Sequence, residues 1–231
     1  MIIFFSSSSC FFSIQSNVHY DTSNNLGAAY RRMKAEGKNE LELGEGEWRV
    51  EKGDTENGEG KYFVLDKPTK ISGQGRGLTT VVGVGLMIKG NKSDGIVEIQ
   101  DLTIKGGEGN GLRADKGMKV IMRGCTIEEC GGNGVFAYEA DITCDDLQVI
   151  GCGLSGVCAG SNATITLSGQ GTSIQGNGTK GRSDDYGLDA CSSSSTIHLV
   201  HPLTHKQIST DNGGGRNWGG DSGTIAQVDN N

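Results

Sequence analysis

An all-β solenoid of about seven coils is the fold that this 231-residue sequence predicts, and three observations predict it. First, four segments nearly copy one another. They open at Val97, Val120, Ile142 and Ile165, in steps of 23, 22 and 23 residues. The first reads Val97-Glu-Ile-Gln-Asp-Leu-Thr-Ile104, and the next two keep its pattern. Each runs into a short glycine-led strand: Gly111-Leu-Arg-Ala114, Gly134-Val-Phe-Ala137, Gly156-Val-Cys-Ala159 and Gly187-Leu-Asp-Ala190. Second, glycine is abundant at 39 residues and proline scarce at 2, with no Gly-X-Y period, so collagen is excluded. The glycines separate short β-branched runs, where turns need positive φ. Third, aligned copies form columns of one character. Ile104, Ile127, Val149 and Ile174 make one inward column, and Ile99, Met122, Cys144 and Leu167 make another. Leu102, Cys125 and Leu147 make a third. Leu112, Val135, Val157 and Leu188 make a fourth, and Ala114, Ala137, Ala159 and Ala190 a fifth. Alternation along a strand puts these in the core and their neighbours outside.

The elements follow in order. Residues 1–24 form an N-terminal segment ahead of a β-helix domain at 25–231. Met1-Ile-Ile-Phe-Phe5 is apolar, but Ser6 to Ser9 interrupt it and no Lys or Arg precedes Arg31. It reads either as a degenerate signal peptide or as an uncleaved segment packed on the end of the fold, and is too short to span a bilayer. Residues 25–37 read as a short capping helix. Leu26, Ala29, Tyr30 and Met33 share one face, and Gly37 ends it. Such a helix covers the open strand edges of a solenoid. Short β-runs follow at 41–50, 62–65, 70–75, 79–82 and 86–88. The regular repeat starts near residue 96 and reaches 190, broken by an insertion at 178–186. The glycine-rich tail at 212–220, with Trp218, covers the far end.

Composition excludes several functions. Twenty-one Lys and Arg against 28 Asp and Glu leave a net charge of -7, which gives no footprint for nucleic acid or an anionic membrane. It would also repel polyanions unless a local basic patch or bound cations intervened. Seven cysteines contain no C-x-x-C pair, so a zinc site is not expected, and the six in the repeat region read as small buried hydrophobes. No cofactor is implied. Sequons start at Asn91, Asn162 and Asn177.

The segment Leu41-Glu-Leu-Gly-Glu-Gly-Glu-Trp-Arg-Val50, followed by Phe63-Val-Leu-Asp-Lys-Pro-Thr-Lys-Ile-Ser-Gly-Gln-Gly75 and Thr80-Val-Val82, resembles the first coils of single-stranded right-handed parallel β-helix proteins, the pectin-lyase-like group. The likeness runs over about 25–228 and implies the right hand. Tyr186-Gly-Leu-Asp-Ala-Cys-Ser-Ser-Ser-Ser-Thr-Ile-His-Leu-Val200 and Asn212-Gly-Gly-Gly-Arg-Asn-Trp-Gly-Gly220 resemble small β-helix repeat proteins of algae and of large viruses that infect them. Enzymes of the group act on polysaccharides from an outer sheet or the groove beside it. The outward columns are therefore the places to search.

One outward column reads Arg113, Phe136, Cys158, Asp189, and another Gln100, Arg123, Asp145. Arg113, Phe136, Arg123 and Asp145 are the candidate ligand-binding residues, with Arg123 and Asp145 expected to pair across coils. The lyases of the group gather several Asp with Arg for calcium, and no such cluster occurs here. Asp184, Asp185 and Asp189 are the candidate catalytic carboxylates, around the insertion. The hydrolase runs Asn-Thr-Asp, Gly-His-Gly and Arg-Ile-Lys are missing. Tyr186-Gly-Leu-Asp189 resembles part of the alginate epimerase signature Tyr-Gly-Phe-Asp-Pro-His, but Ala190 and Cys191 replace its Pro and His. Alternation alone accounts for Asp189 pointing outward. His201 and His205 are four apart, but Pro202 and Thr204 argue against a helix and hence against a metal pair. Cys130 and Cys152 share a column with Asn177 and form either a disulfide or a thiol ladder. The expected function is a non-enzymatic surface module that binds glycan or protein or has a structural role in a coat or particle. Its expected location is extracellular, on a cell surface or on a virion. The alternative is a polysaccharide lyase or epimerase acting on an acidic polysaccharide.

Overall fold

The computed structural model describes residues 18–21, 24–90 and 95–229. The N-terminal apolar run and the Asn91 sequon lie outside them. Three parallel sheets wind around one core. Sheet 1 has nine strands, from Val18–Asp21 through Ile96–Gln100, Lys119–Arg123, Asp141–Asp145 and Thr164–Ser168 to Thr196–Val200 and Thr224–Val228. Sheets 2 and 3 have seven strands each. Sheet 2 runs from Gly46–Trp48 through Thr103–Lys105, Thr126–Glu128 and Gln148–Ile150 to Ser209–Thr210. Sheet 3 runs from Tyr62–Leu65 through Leu112–Asp115, Val135–Tyr138, Val157–Ala159 and Leu188–Ala190 to Trp218–Gly219. The chain visits sheets 1, 2 and 3 in turn, which makes seven complete coils.

The register agrees with the sequence columns. Ile104 pairs with Ile127, Ile127 with Val149, and Val149 with Ile174. Leu112, Val135, Val157 and Leu188 follow one another on sheet 3. All eight of these side chains are fully buried. Three-stranded coiling begins earlier than the repeat does, at Glu40–Leu43, because the irregular segments 41–88 enter the same three sheets.

The corners explain the glycine content. The residue leaving sheet 1 has positive φ in successive coils at Asp101, Gly124, Asp146 and Gly169, and the residue leaving sheet 2 does so at Gly106, Glu129, Gly151 and Gly176. A second glycine column, at 111, 134, 156 and 187, answers to close approach instead. A Cβ on Gly111 would strike the Ile127 side chain, on Gly134 that of Val149, and on Gly156 that of Ile174. Sheet 3 therefore enters each coil directly over the aliphatic column of the next.

Helix α1, Leu26–Ala35, closes the first coil. Asn25 caps it by accepting from the Ala28 N–H at 2.9 Å, and Leu26, Ala29, Tyr30 and Met33 are buried. Tyr30 meets Phe63 edge-on at 5.4 Å, and its hydroxyl donates to Asp66 at 2.9 Å. At the other end the glycine-rich tail extends the solenoid: Trp218–Gly219 pairs with sheet 3 and Thr224–Val228 with sheet 1. Trp218 continues the Leu188 column in register, but its side chain is 38% exposed. His205 opens a four-residue helix, α2 (His205–Ile208), where the sequence argued against helix. Pro202 precedes it and so does not interrupt it. The His205 ring rests on Trp218 with centroids 4.3 Å apart.

At the corner leading to sheet 3 stands a column of Cys130, Cys152, Asn177 and Asn212. Cys130 and Cys152 are fully buried free thiols. The contact with Cys130 and burial push the Cys152 thiol well above its ordinary range. Asn177 is fully buried and accepts from the Cys152 N–H at 3.0 Å. Its Nδ2 donates to Val149 O at 3.1 Å and Asn212 Oδ1 at 3.0 Å. Asn177 is thus closed to glycosylation, whereas Asn162 is exposed at a turn.

Candidate functional site

The outer faces carry three groupings of polar side chains. The first lies on sheet 3. Arg113 and Phe136 occupy neighbouring strands in register, with the guanidinium 5.6 Å from the ring centroid. Arg113 Nε also donates to both Asp115 carboxylate oxygens at 3.0 Å. Beside them a cleft of about 370 Å³ is lined by Lys89, Gly90, Arg113, Asp115, Lys116 and Tyr138. Tyr138 is 36% exposed, and Lys116 stands at an exposed turn with positive φ. Lys89 pairs with Glu56. Three cations and an open aromatic ring therefore line one cleft, Arg113 paired with Asp115 and Lys89 with Glu56. Alternation brought Arg113 and Phe136 out of the sequence. Lys89, Lys116 and Tyr138 come from strand ends and turns, where alternation is silent.

The second grouping lies on sheet 1. Arg123 and Asp145 are in register on adjacent strands, but they do not pair. Arg123 Nη1 reaches Glu98 Oε2 at 2.9 Å on the opposite side, and Asp145 accepts from Ser168 Oγ at 2.9 Å. Each finds its partner in the coil away from the other, which corrects the expected ion pair. They share a groove of about 510 Å³ floored by Ile121, Thr143 and Ser168 and walled by His201, Pro202 and Leu203. His201 joins them from the turn that leaves strand Thr196–Val200, and its distance in sequence hid this.

The third grouping involves the acidic candidates, which do not converge. Asp184 is exposed and held by Arg182, whose guanidinium beside it keeps its carboxyl below the usual range. Asp185 turns inward and is buried, which raises its pKa. Asp189 points out of sheet 3 as alternation requires, yet it is only 6% exposed. The insertion and the last coil cover it, so it is no surface residue. Ser155 Oγ donates to Asp189 Oδ2 at 3.0 Å, and the Tyr186 N–H donates to Ser155 Oγ at 3.0 Å. Burial pushes the Asp189 carboxyl up to about 6, against the lowering effect of Ser155. Beside it the Cys158 and Cys191 sulfurs lie 3.6 Å apart. The Tyr186-Gly-Leu-Asp189 run thus has its acid sealed beneath the surface, away from both clefts.

Three parallel sheets coiled on an aliphatic core, with clefts on their outer faces, define a parallel β-helix solenoid. Residues 84–224 match the family model of the right-handed β-helix region, and the chain belongs to that family. No curated protein and no solved structure matches it. No helix among the described residues is long and apolar enough to cross a membrane.

Proposed function

We propose that this protein is a non-enzymatic surface module that binds an acidic glycan across the sheet 3 cleft. One observation carries the reading. A chain of net charge -7 gathers Lys89, Arg113 and Lys116 around an exposed Tyr138. Sugar rings offer apolar C–H faces to an aromatic ring, and carboxylate or sulfate groups suit flanking cations. The acidic remainder of the surface repels polyanions elsewhere and favours this one patch. A rigid, evenly spaced face suits an extended ligand. The test is calorimetric titration of purified protein with oligomers of alginate, pectate and a neutral glucan. Binding to the acidic oligomers should weaken with salt. The pair Lys116→Glu and Tyr138→Ala should weaken it about tenfold or more, equivalent to about 1.4 kcal/mol. Equal affinity for the neutral glucan, or unchanged affinity in the variants, would refute the acidic-glycan reading. No binding at all would leave the structural role in a coat or particle.

A second reading, a lyase or epimerase, is favoured by the groove on sheet 1. There Arg123, Asp145 and His201 line one space. A cation to neutralise a uronate carboxylate and a base to take the adjacent proton are the parts such a reaction needs. Release of unsaturated uronate from alginate or pectate, abolished by His201→Ala, would establish this reading over the first.

A further inference from the structure

Cys158 and Asp189 face each other in register on adjacent strands of sheet 3. Cys191 follows Asp189 by two residues, and strand alternation keeps it on the same side. Two sulfurs and a carboxylate oxygen, drawn from two neighbouring coils, thus lie within 4.8 Å of one another. We propose that Cys158, Asp189 and Cys191 form a metal site for a thiophilic divalent cation of the zinc class, with a fourth position open to water or an external ligand.

The spacing is that of a hydrogen-bonded thiol pair, and it also fits a metal while being too long for a disulfide. Two thiolates bound to zinc at about 2.3 Å with a tetrahedral angle sit about 3.8 Å apart. The sulfurs here are 3.6 Å apart, while a disulfide requires about 2.05 Å. The carboxylate gives a second, independent sign. Asp189 is 6% exposed, and its Oδ1 is buried with no donor near it but the Cys158 thiol, a weak one. Buried carboxylate oxygens are ordinarily well satisfied, and one served only by a weak thiol donor suits a cation bound by the same thiols once deprotonated. Its sister oxygen is already fixed by Ser155, and Ser155 by the Tyr186 N–H. That chain of hydrogen bonds is the kind of outer support that orients a metal ligand. Asp185 and Asp221 add negative charge around Asp189.

The donor set selects the metal. Two sulfurs disfavour calcium and magnesium, which want oxygen shells of six or more. Three protein ligands are one short of a closed structural zinc site. Cys191 is the least buried of the three, so the cation enters and the open position faces out on its side.

Cobalt titration of the reduced full-length chain tests this. One equivalent of Co²⁺ should bring thiolate-to-metal charge transfer in the near ultraviolet and tetrahedral bands in the visible. Zn²⁺ should then displace it. Cys191→Ser and Asp189→Asn should each weaken cobalt binding about tenfold or more. Cys10→Ser, outside the described residues, should leave it unchanged. A readout without variants guards against misfolding: stoichiometric Zn²⁺ should slow alkylation of Cys191, followed by mass spectrometry. Absence of the charge-transfer band at one equivalent would overturn the site. So would a band that survives in folded Cys191→Ser, or zinc protection confined to other cysteines.

Discussion

Asn177→Ala should be among the most costly single truncations in the protein, although it removes only a small polar side chain. The Asn177 amide stands where Cys152 and Cys130 stand in the preceding coils, and it does more there than fill space. Its Oδ1 accepts from the Cys152 N–H at 3.0 Å, and its Nδ2 donates to Val149 O at 3.1 Å and Asn212 Oδ1 at 3.0 Å. Truncation orphans the Cys152 amide in a fully buried layer, at a cost of about 1–3 kcal/mol. Loss of the other two bonds adds about 1 kcal/mol each. The expected destabilisation is about 4 kcal/mol, or roughly 8–16 °C in melting temperature for a chain of this size. Urea unfolding followed by far-ultraviolet circular dichroism measures the first quantity. Amide exchange locates it: protection of the Cys152 N–H should collapse, while Val97 and Val120 keep theirs, because solenoid stability is built from neighbouring coils. A double cycle with Asn212→Ala should show coupling of about 1 kcal/mol or more. A loss below about 1 kcal/mol with Cys152 still protected would refute the reasoning, since that amide would then have another partner.

Four more predictions follow from the packing and the charge pairs. Gly134→Ala should destabilise by about 3 kcal/mol, because a Cβ there meets the Val149 side chain and lies 2.6 Å from the Gly156 carbonyl oxygen. Gly44→Ala, with nothing within 4 Å, should stay within about 0.5 kcal/mol by the same thermal melts. Leu147→Ala, fully buried in the column headed by Leu102 and Cys125, should cost about 2–5 kcal/mol in urea unfolding. Asp66→Asn should show a pH signature. Burial opposes the charge of Asp66, but hydrogen bonds from Tyr30 and Lys34 outweigh it and hold its pKa below the ordinary carboxylate range. A lowered folded pKa contributes stability above the unfolded value and loses it as pH falls through the folded one. The substitution should therefore cost something at neutral pH and nothing in strong acid. The size should stay under about 1 kcal/mol, since the carboxylate is half exposed and screened.

The fold was legible because a solenoid writes its geometry into the sequence once per coil. Ile104, Ile127, Val149 and Ile174 share a residue character because each sits on the next at the inter-strand spacing. The helix at 26–35 was legible from one apolar face of four residues. The early coils were legible as short β-runs between 41 and 88 but not as copies of the repeat, because the loops around 52–60 interrupt their period. Alternation told which residues leave the core without telling what lies above them. It placed Asp189 outward correctly, yet the insertion and the last coil bury it. It set Arg123 beside Asp145, but a long side chain with two neighbouring coils to choose from took Glu98.

The same limit bears on the cysteines. Zinc sites are usually read from C-x-x-C pairs in one loop, and no such pair exists in this chain. In a β-helix the neighbour across the sheet is a whole coil away, so Cys158 and Cys191 sit 33 residues apart with sulfurs at 3.6 Å. The sequence column of Arg113, Phe136, Cys158 and Asp189 already held two of the three proposed ligands. The same column starts at the basic cleft and ends at the thiols, passing from an open cation–aromatic contact to a sealed carboxylate within four strands. What changes along it is cover. Tyr186, at the end of the inserted residues, lays its ring against Gly219, the register partner of Asp189, whereas Arg113 and Phe136 stay open, so a single outward row supplies two environments of different chemistry.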